Sequence, residues 1–220
     1  MFTNRRLSIL GDSISTYKGV SNDGDANATL IYNPYYYKDS FPLEKTYWKR
    51  LMNNLGLVLC VNNSWSGGNL SGTEDPDSGV NRAKHLSRED GTMPDIVIVF
   101  MGMNDLGRRV SPFVFASDYR KALVTIKELY PSADVCCVNL PNRDITVKEA
   151  TEIFNGEIQK AVEAAGEGFF IADLFGSRLN NDEYYKNTVD GLHPDEDGMR
   201  MIADVVINAI NQHIGMNFSN

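Results

Sequence analysis

The sequence predicts an α/β domain: a parallel five-stranded sheet with helices on both faces. Three observations lead there. Five short runs rich in Val, Ile, Leu and Phe are continuously apolar rather than alternating, which suits strands buried on both faces. Segments with apolar residues at helical spacing lie between them, and strands alternating with helices define βαβ units. The chain has 220 residues, 42% hydrophobic and 23% charged, enough for one domain with a sizeable core and short for two. Residues 1–220 are therefore read as a single domain.

The first apolar run, Leu7 to Leu10, is the first strand. Thr46 to Leu55 carries Tyr47, Leu51 and Leu55 on one helical face. Leu57 to Val61 is the second strand and Ile96 to Met101 the third. Phe115 to Leu129 repeats the helical pattern with Tyr119, Leu123 and Ile126. Val135 to Leu140 is the fourth strand. Val147 to Ala165 is the next helix, with Ile153, Ile158 and Val162, and Phe169 to Ala172 is the fifth strand. After Pro194 a last helix presents Met199, Ile202, Val206, Ala209 and His213. Two stretches resist the pattern. Residues 17–45 hold Gly, Asn, Asp and Pro with Tyr32, Tyr35, Tyr36, Tyr37 and Phe41, and residues 66–80 are rich in Gly, Ser, Asp and Asn. They follow the first two strands, where such a sheet builds its binding crevice.

The bulk numbers exclude several classes. A net charge of -8 argues against a nucleic-acid partner and against docking on anionic membranes. No apolar run reaches membrane-spanning length. After Arg5-Arg6 the apolar stretch Leu7 to Leu10 is too short for the core of a leader peptide. A cytoplasmic location is the expectation, with secretion the alternative if the natural chain is longer. Cys60, Cys136 and Cys137 all lie in apolar runs and are expected as buried hydrophobes. Their odd number and spacing suit neither a disulfide framework nor a zinc site.

The residues after each strand carry the chemistry. Gly11-Asp12-Ser13 follows the first and Asn62-Asn63-Ser64-Trp65-Ser66-Gly67-Gly68 the second. Gly102-Met103-Asn104-Asp105 follows the third, and Asp190-Gly191-Leu192-His193-Pro194 lies beyond the fifth. In a parallel sheet all of these fall at the carboxyl edge, around one crevice. Acyl transfer needs a nucleophile, a base, an orienter for the base and donors for the oxyanion. Ser13 can serve as nucleophile on a tight turn that Gly11 permits, His193 as base and Asp190 as the carboxylate holding the imidazole. The backbone N–H groups of Ser13 and Gly67 and the Asn104 amide can point at an oxyanion. Asp12 and Asp105 are expected to brace loops, as is Asn62. His85 reads as a solvated residue of a polar helical stretch and His213 as a packing or capping residue.

These four blocks, in this order over residues 7–197, resemble the SGNH (GDSL-type) hydrolase family. The resemblance implies a flavodoxin-like three-layer α/β/α sandwich and a metal-independent serine hydrolase with no cofactor. It implies the triad Ser13, Asp190 and His193, with Ser13, Gly67 and Asn104 as oxyanion donors. Trp65 stands where the family often has a small hydrophobic residue, and could line the pocket. The Tyr-rich stretch after Ser13 is similar, more loosely, to members that act on carbohydrates. Tyr35, Tyr36 and Tyr37 are candidates for a sugar-stacking platform, and Arg143 for a substrate contact. The expected reaction is removal of a small acyl group, acetyl first, from a carbohydrate or small-molecule ester. A lysophospholipase, thioesterase or arylesterase of the same mechanism is the alternative. More distant alternatives are a metal-dependent phosphoesterase and a non-catalytic glycan-binding module. The oligomeric state is not legible.

Overall fold

A computed structural model of the chain describes residues 4–21, 41–142, 145–177 and 182–217. Strand β1 (Arg6–Gly11) buries Leu7, Ile9 and Leu10 completely. Its one polar core residue, Ser8, donates its hydroxyl to Leu86 O at 2.7 Å, so no buried group is left unmade. Helix α1 (Tyr47–Leu55) starts at Thr46, whose Oγ1 accepts the Lys49 N–H, and stops at Gly56 in the left-handed conformation, φ 68°. Strand β2 (Val58–Ser64) follows, then a short helix α2 (Gly79–Arg82). Strand β3 (Ile96–Phe100) is apolar throughout and fully buried. The short helix α3 (Met103–Gly107) leads to α4 (Pro112–Leu129). Strand β4 (Asp134–Val138), helix α5 (Lys148–Ala165), strand β5 (Phe169–Ala172), helix α6 (Asp182–Lys186) and the long helix α7 (Glu196–Asn217) complete the order.

All strand pairs are parallel, in the order β2-β1-β3-β4-β5. The chain moves one way from β1 to β2 and the other way from β3 to β5. Right-handed crossovers therefore put α1 on one face and α4 and α5 on the other. The contacts agree: α1 packs on α7, and α4 packs on α5. The order reverses between β1 and β3, so the crevice of this three-layer sandwich opens at the carboxyl ends of those two strands.

Several expected boundaries shift. β2 does not end at Val61; Asn62, Asn63 and Ser64 stay in the sheet opposite Ile9, Leu10 and Gly11. Polar residues persist in a buried strand because each finds a partner. Asn62 Nδ2 donates to Ser15 O at 2.9 Å, Ser64 Oγ to Asn62 Oδ1 at 2.6 Å, and Asn63 Nδ2 to His85 O at 3.0 Å. α4 begins three residues early, with Pro112 in its first turn, where the missing N–H costs nothing. β3 and β4 close at Phe100 and Val138, short of Met101 and Leu140. His85 is exposed as expected but lies beyond α2, outside any helix. His213 packs: its ring stacks on Phe170 at 4.1 Å, and Nε2 lies 3.1 Å from Asp134 Oδ1. All three cysteines are buried and free.

Candidate active site

The turn after β1 is held from several sides. Asp12 Oδ1 accepts the Ile14 N–H at 3.0 Å, and Ser15 N donates to Asp12 O at 3.0 Å. Thr16 Oγ1 donates to Ser13 O at 2.8 Å, and the Ser15 and Tyr47 hydroxyls meet at 2.7 Å. Gly11 is required here for space, not for its backbone angle. A Cβ at that position would stand 2.6 Å from Ser15 Cβ and from Ser64 Oγ. Ser13, 5% exposed, is thus fixed at the mouth of the crevice.

Ser13 Oγ lies 3.0 Å from His193 Nε2, across 180 positions of sequence. His193 Nδ1 lies 2.6 Å from Asp190 Oδ2. An ionised carboxylate only accepts, so Nδ1 carries the proton and Nε2 accepts from the serine hydroxyl. Asp190 also sets the turn: its Oδ1 accepts the N–H groups of Leu192, at 3.0 Å, and His193, at 2.8 Å. Burial works against the Asp190 charge. The bonds from the His193 N–H, the His193 ring and the Leu192 N–H outweigh it and hold the carboxyl below its ordinary pKa. The turn is closed by Val189 N to His193 O at 2.9 Å and by the Tyr184 hydroxyl on Leu192 O at 2.6 Å.

The second and third loops come in beside it. Trp65 N donates to Gly11 O at 3.2 Å, which ties the β2 loop to the end of β1. Trp65 is half-buried one residue past the strand. Gly67 adopts φ 72°, a conformation that disfavours other residues. Its N–H has no hydrogen-bond partner among the described residues. Asn104, in the first turn of α3, donates one amide proton to Gly68 O at 3.0 Å, which leaves the second for another acceptor. Asp105 accepts the N–H groups of Leu70, at 2.7 Å, and Ser71, at 2.9 Å. It braces the same loop from behind, as the sequence predicts.

Two buried groups sharpen the picture. Asp12 is 1% exposed. Burial pushes its pKa up to about 7, against the Ile14 N–H and the nearby Arg82 guanidinium, which pull it down. Its Oδ2 is buried with no partner among the described residues. Arg82 is 5% exposed and escapes sequence reasoning altogether. Its Nη2 donates to Gly11 O at 3.0 Å and lies 3.5 Å from Met101 Sδ, and its Nη1 donates to Asn63 O at 2.5 Å. One side chain thus touches the chain at or beside the carboxyl ends of β1, β2 and β3. A lone arginine closing a four-residue helix has no sequence mark that separates it from a solvated one. Tyr35, Tyr36, Tyr37 and Arg143 lie outside the described residues.

A parallel sheet covered by helices on both faces thus brings Ser13, His193 and Asp190 into one hydrogen-bonded chain beside its switch-point crevice. The family model described as GDSL-like Lipase/Acylhydrolase matches residues 5–210, and the chain belongs to that family. It is a carboxylic ester hydrolase. Among solved structures, a protein described as a GDSL-like lipase from Bacteroides ovatus superposes with TM-score 0.74 at 20% identity, over 96% of this chain and 99% of that one. One so described from Bacteroides uniformis gives 0.68 at 24%, over 95% and 96%. A family two carbohydrate esterase from Clostridium thermocellum, in complex with cellohexaose, gives 0.69 at 16%, over 98% and 66%. At these identities the structures share the fold. No curated protein matches the chain by sequence.

Proposed function

We propose that the protein is a serine esterase that removes a small acyl group, acetyl first, from a carbohydrate. The observation that carries the mechanism is the unbroken relay from Ser13 Oγ through His193 to Asp190, at 3.0 and 2.6 Å. Ser13 Oγ attacks the ester carbonyl as its proton passes to His193 Nε2. Asp190 stabilises the imidazolium without taking its proton. The oxyanion gathers the Ser13 and Gly67 N–H groups and the second Asn104 amide proton. His193 returns its proton to the departing sugar oxygen. It then takes one from water, whose oxygen attacks the acyl carbon, and passes that proton to Ser13 Oγ as the acyl–serine bond breaks, which releases the carboxylic acid and restores the serine hydroxyl. The resident metal of a phosphoesterase has no step in this scheme.

Carbohydrate as the alcohol is supported by the esterase crystallised with cellohexaose and by the polar and aromatic make-up of residues 17–45. Ser13→Ala is expected to lower kcat on 4-nitrophenyl acetate by about 10⁴–10⁶-fold with an unchanged thermal midpoint. Wild-type turnover by that variant would refute the assignment. Hydrolysis should survive EDTA and be lost to a serine-directed phosphonate. A panel of acetylated sugars against longer acyl esters, compared by kcat/KM, decides the substrate class. Higher values on long acyl chains would favour a lipase.

A further inference from the structure

The rim of the site carries a cation that the reaction above leaves unused. Arg108 follows α3 directly and is exposed, yet it is held in place. Its Nη1 donates to Gly67 O at 2.6 Å and to Asn69 Oδ1 at 2.5 Å. Both Nη1 protons are therefore committed to neutral acceptors on the oxyanion loop. Nη2 lies 3.5 Å from the point a Gly67 Cβ would occupy, so the guanidinium lies against that glycine. Arg50, Arg120 and Arg200 pair with carboxylates, of Glu196, Glu157 and Asp197, whereas exposed Arg88 is held by the Leu59 and Cys60 carbonyls, far from the oxyanion loop. Among the described residues Arg108, like Arg88 and Arg109, has no carboxylate at ion-pair distance, and of the three it is the one hydrogen-bonded to the loop that carries Gly67.

The uncommitted edge of the guanidinium is the Nε–Nη2 side. It offers two parallel N–H donors, the fork that a planar carboxylate accepts in bidentate fashion. We propose that Arg108 forms an anion subsite beside the oxyanion loop and selects esters whose substrate carries a carboxylate. The inference rests on the esterase reading for its placement on the substrate. An acetyl group has no carboxylate of its own, so the charge belongs to the sugar. The substrate class is then an O-acetylated uronic acid.

The test is equilibrium binding to Ser13→Ala, which keeps the ester intact. Calorimetry compares a methyl O-acetyl galacturonoside with the matching O-acetyl galactoside, which differs in carboxylate against hydroxymethyl. The acid should bind about three- to tenfold tighter, as a bidentate pair in partial solvent allows. The advantage should shrink at high salt and vanish in the double variant Ser13→Ala/Arg108→Gln, with its thermal midpoint checked alongside. Equal or undetectable binding of the acid overturns the proposal, and so does a preference that survives Arg108→Gln. Wild-type turnover of the same two esters is measured in parallel. Hydrolysis of neither refutes the sugar-esterase reading, while the binding ratio still decides the subsite.

Discussion

Ser13 and His193 meet at 3.0 Å, an ordinary hydrogen-bond length that can shorten as charge develops on the oxyanion. Asn104→Ala deletes one oxyanion donor and is expected to cost about 10²–10³-fold in kcat. The same substitution frees Gly68 O, so KM should be followed with kcat. Asp12 gives a stability prediction. Its pKa stands at about 7 against about 3.9 in an unfolded chain. Between those values the folded chain holds a proton that the unfolded chain has released. The contribution is fully present below about pH 4 and is lost as pH rises through about 7. Asp12→Asn keeps an Oδ1 for the Ile14 N–H but does not titrate. The thermal midpoint of wild type relative to Asp12→Asn should therefore fall from about pH 4 to about pH 8; a pH-independent difference would refute it. That Ser13, His193 and Asp190 come together was legible because short motifs follow strands of one parallel sheet. The roles proposed for them and for Gly67 and Asn104 rest on the same pattern. Arg82 and Arg108 were not legible, because an arginine's partners are set by tertiary approach, as with Asn63 O and Gly67 O.

The strand ends decide how well these residues stay aligned. Ser13 follows β1, Gly67 follows β2 and Asn104 follows β3. Arg82 joins Gly11 O, Asn63 O and Met101 Sδ, beside those same three exits. Arg82→Met removes these donors; Gly11 O keeps the Trp65 N–H, and the lost hydrogen bonds to buried acceptors cost about 1–3 kcal/mol. A small misalignment at a reacting centre is expensive, so kcat per phosphonate-titrated site should fall about 10–100-fold. A lower thermal midpoint with kcat per titrated site unchanged would leave Arg82 a purely structural role. The elements that apolar patterning located well are those whose burial is apolar, such as β3 and α5. β2 ran three residues past Val61 because its buried end is polar and hydrogen-bonded. α2 and α3 have 4 and 5 residues, too few to show a helical period.

For the whole molecule, the number of strands and their parallel sense were legible in the alternation of runs. The order β2-β1-β3-β4-β5 was not, because pairing between distant segments leaves no periodic trace. The centre of the sheet should carry much of the stability. Ile98 in β3 is fully buried, and Ile98→Ala is expected to cost about 2–5 kcal/mol in denaturant titration. With the site some distance along the strand, KM should stay close to wild type; a small loss of stability would mean that the core closes over the gap. A last consequence follows from the 180 positions that separate Ser13 from His193. Protein synthesis runs from the N-terminus onward, so the ribosome releases the nucleophile 180 residues before its base. On the proposed roles, a nascent chain holds an inert serine until the segment ahead of α7 has emerged. Ester hydrolysis would then report chains whose synthesis has passed His193.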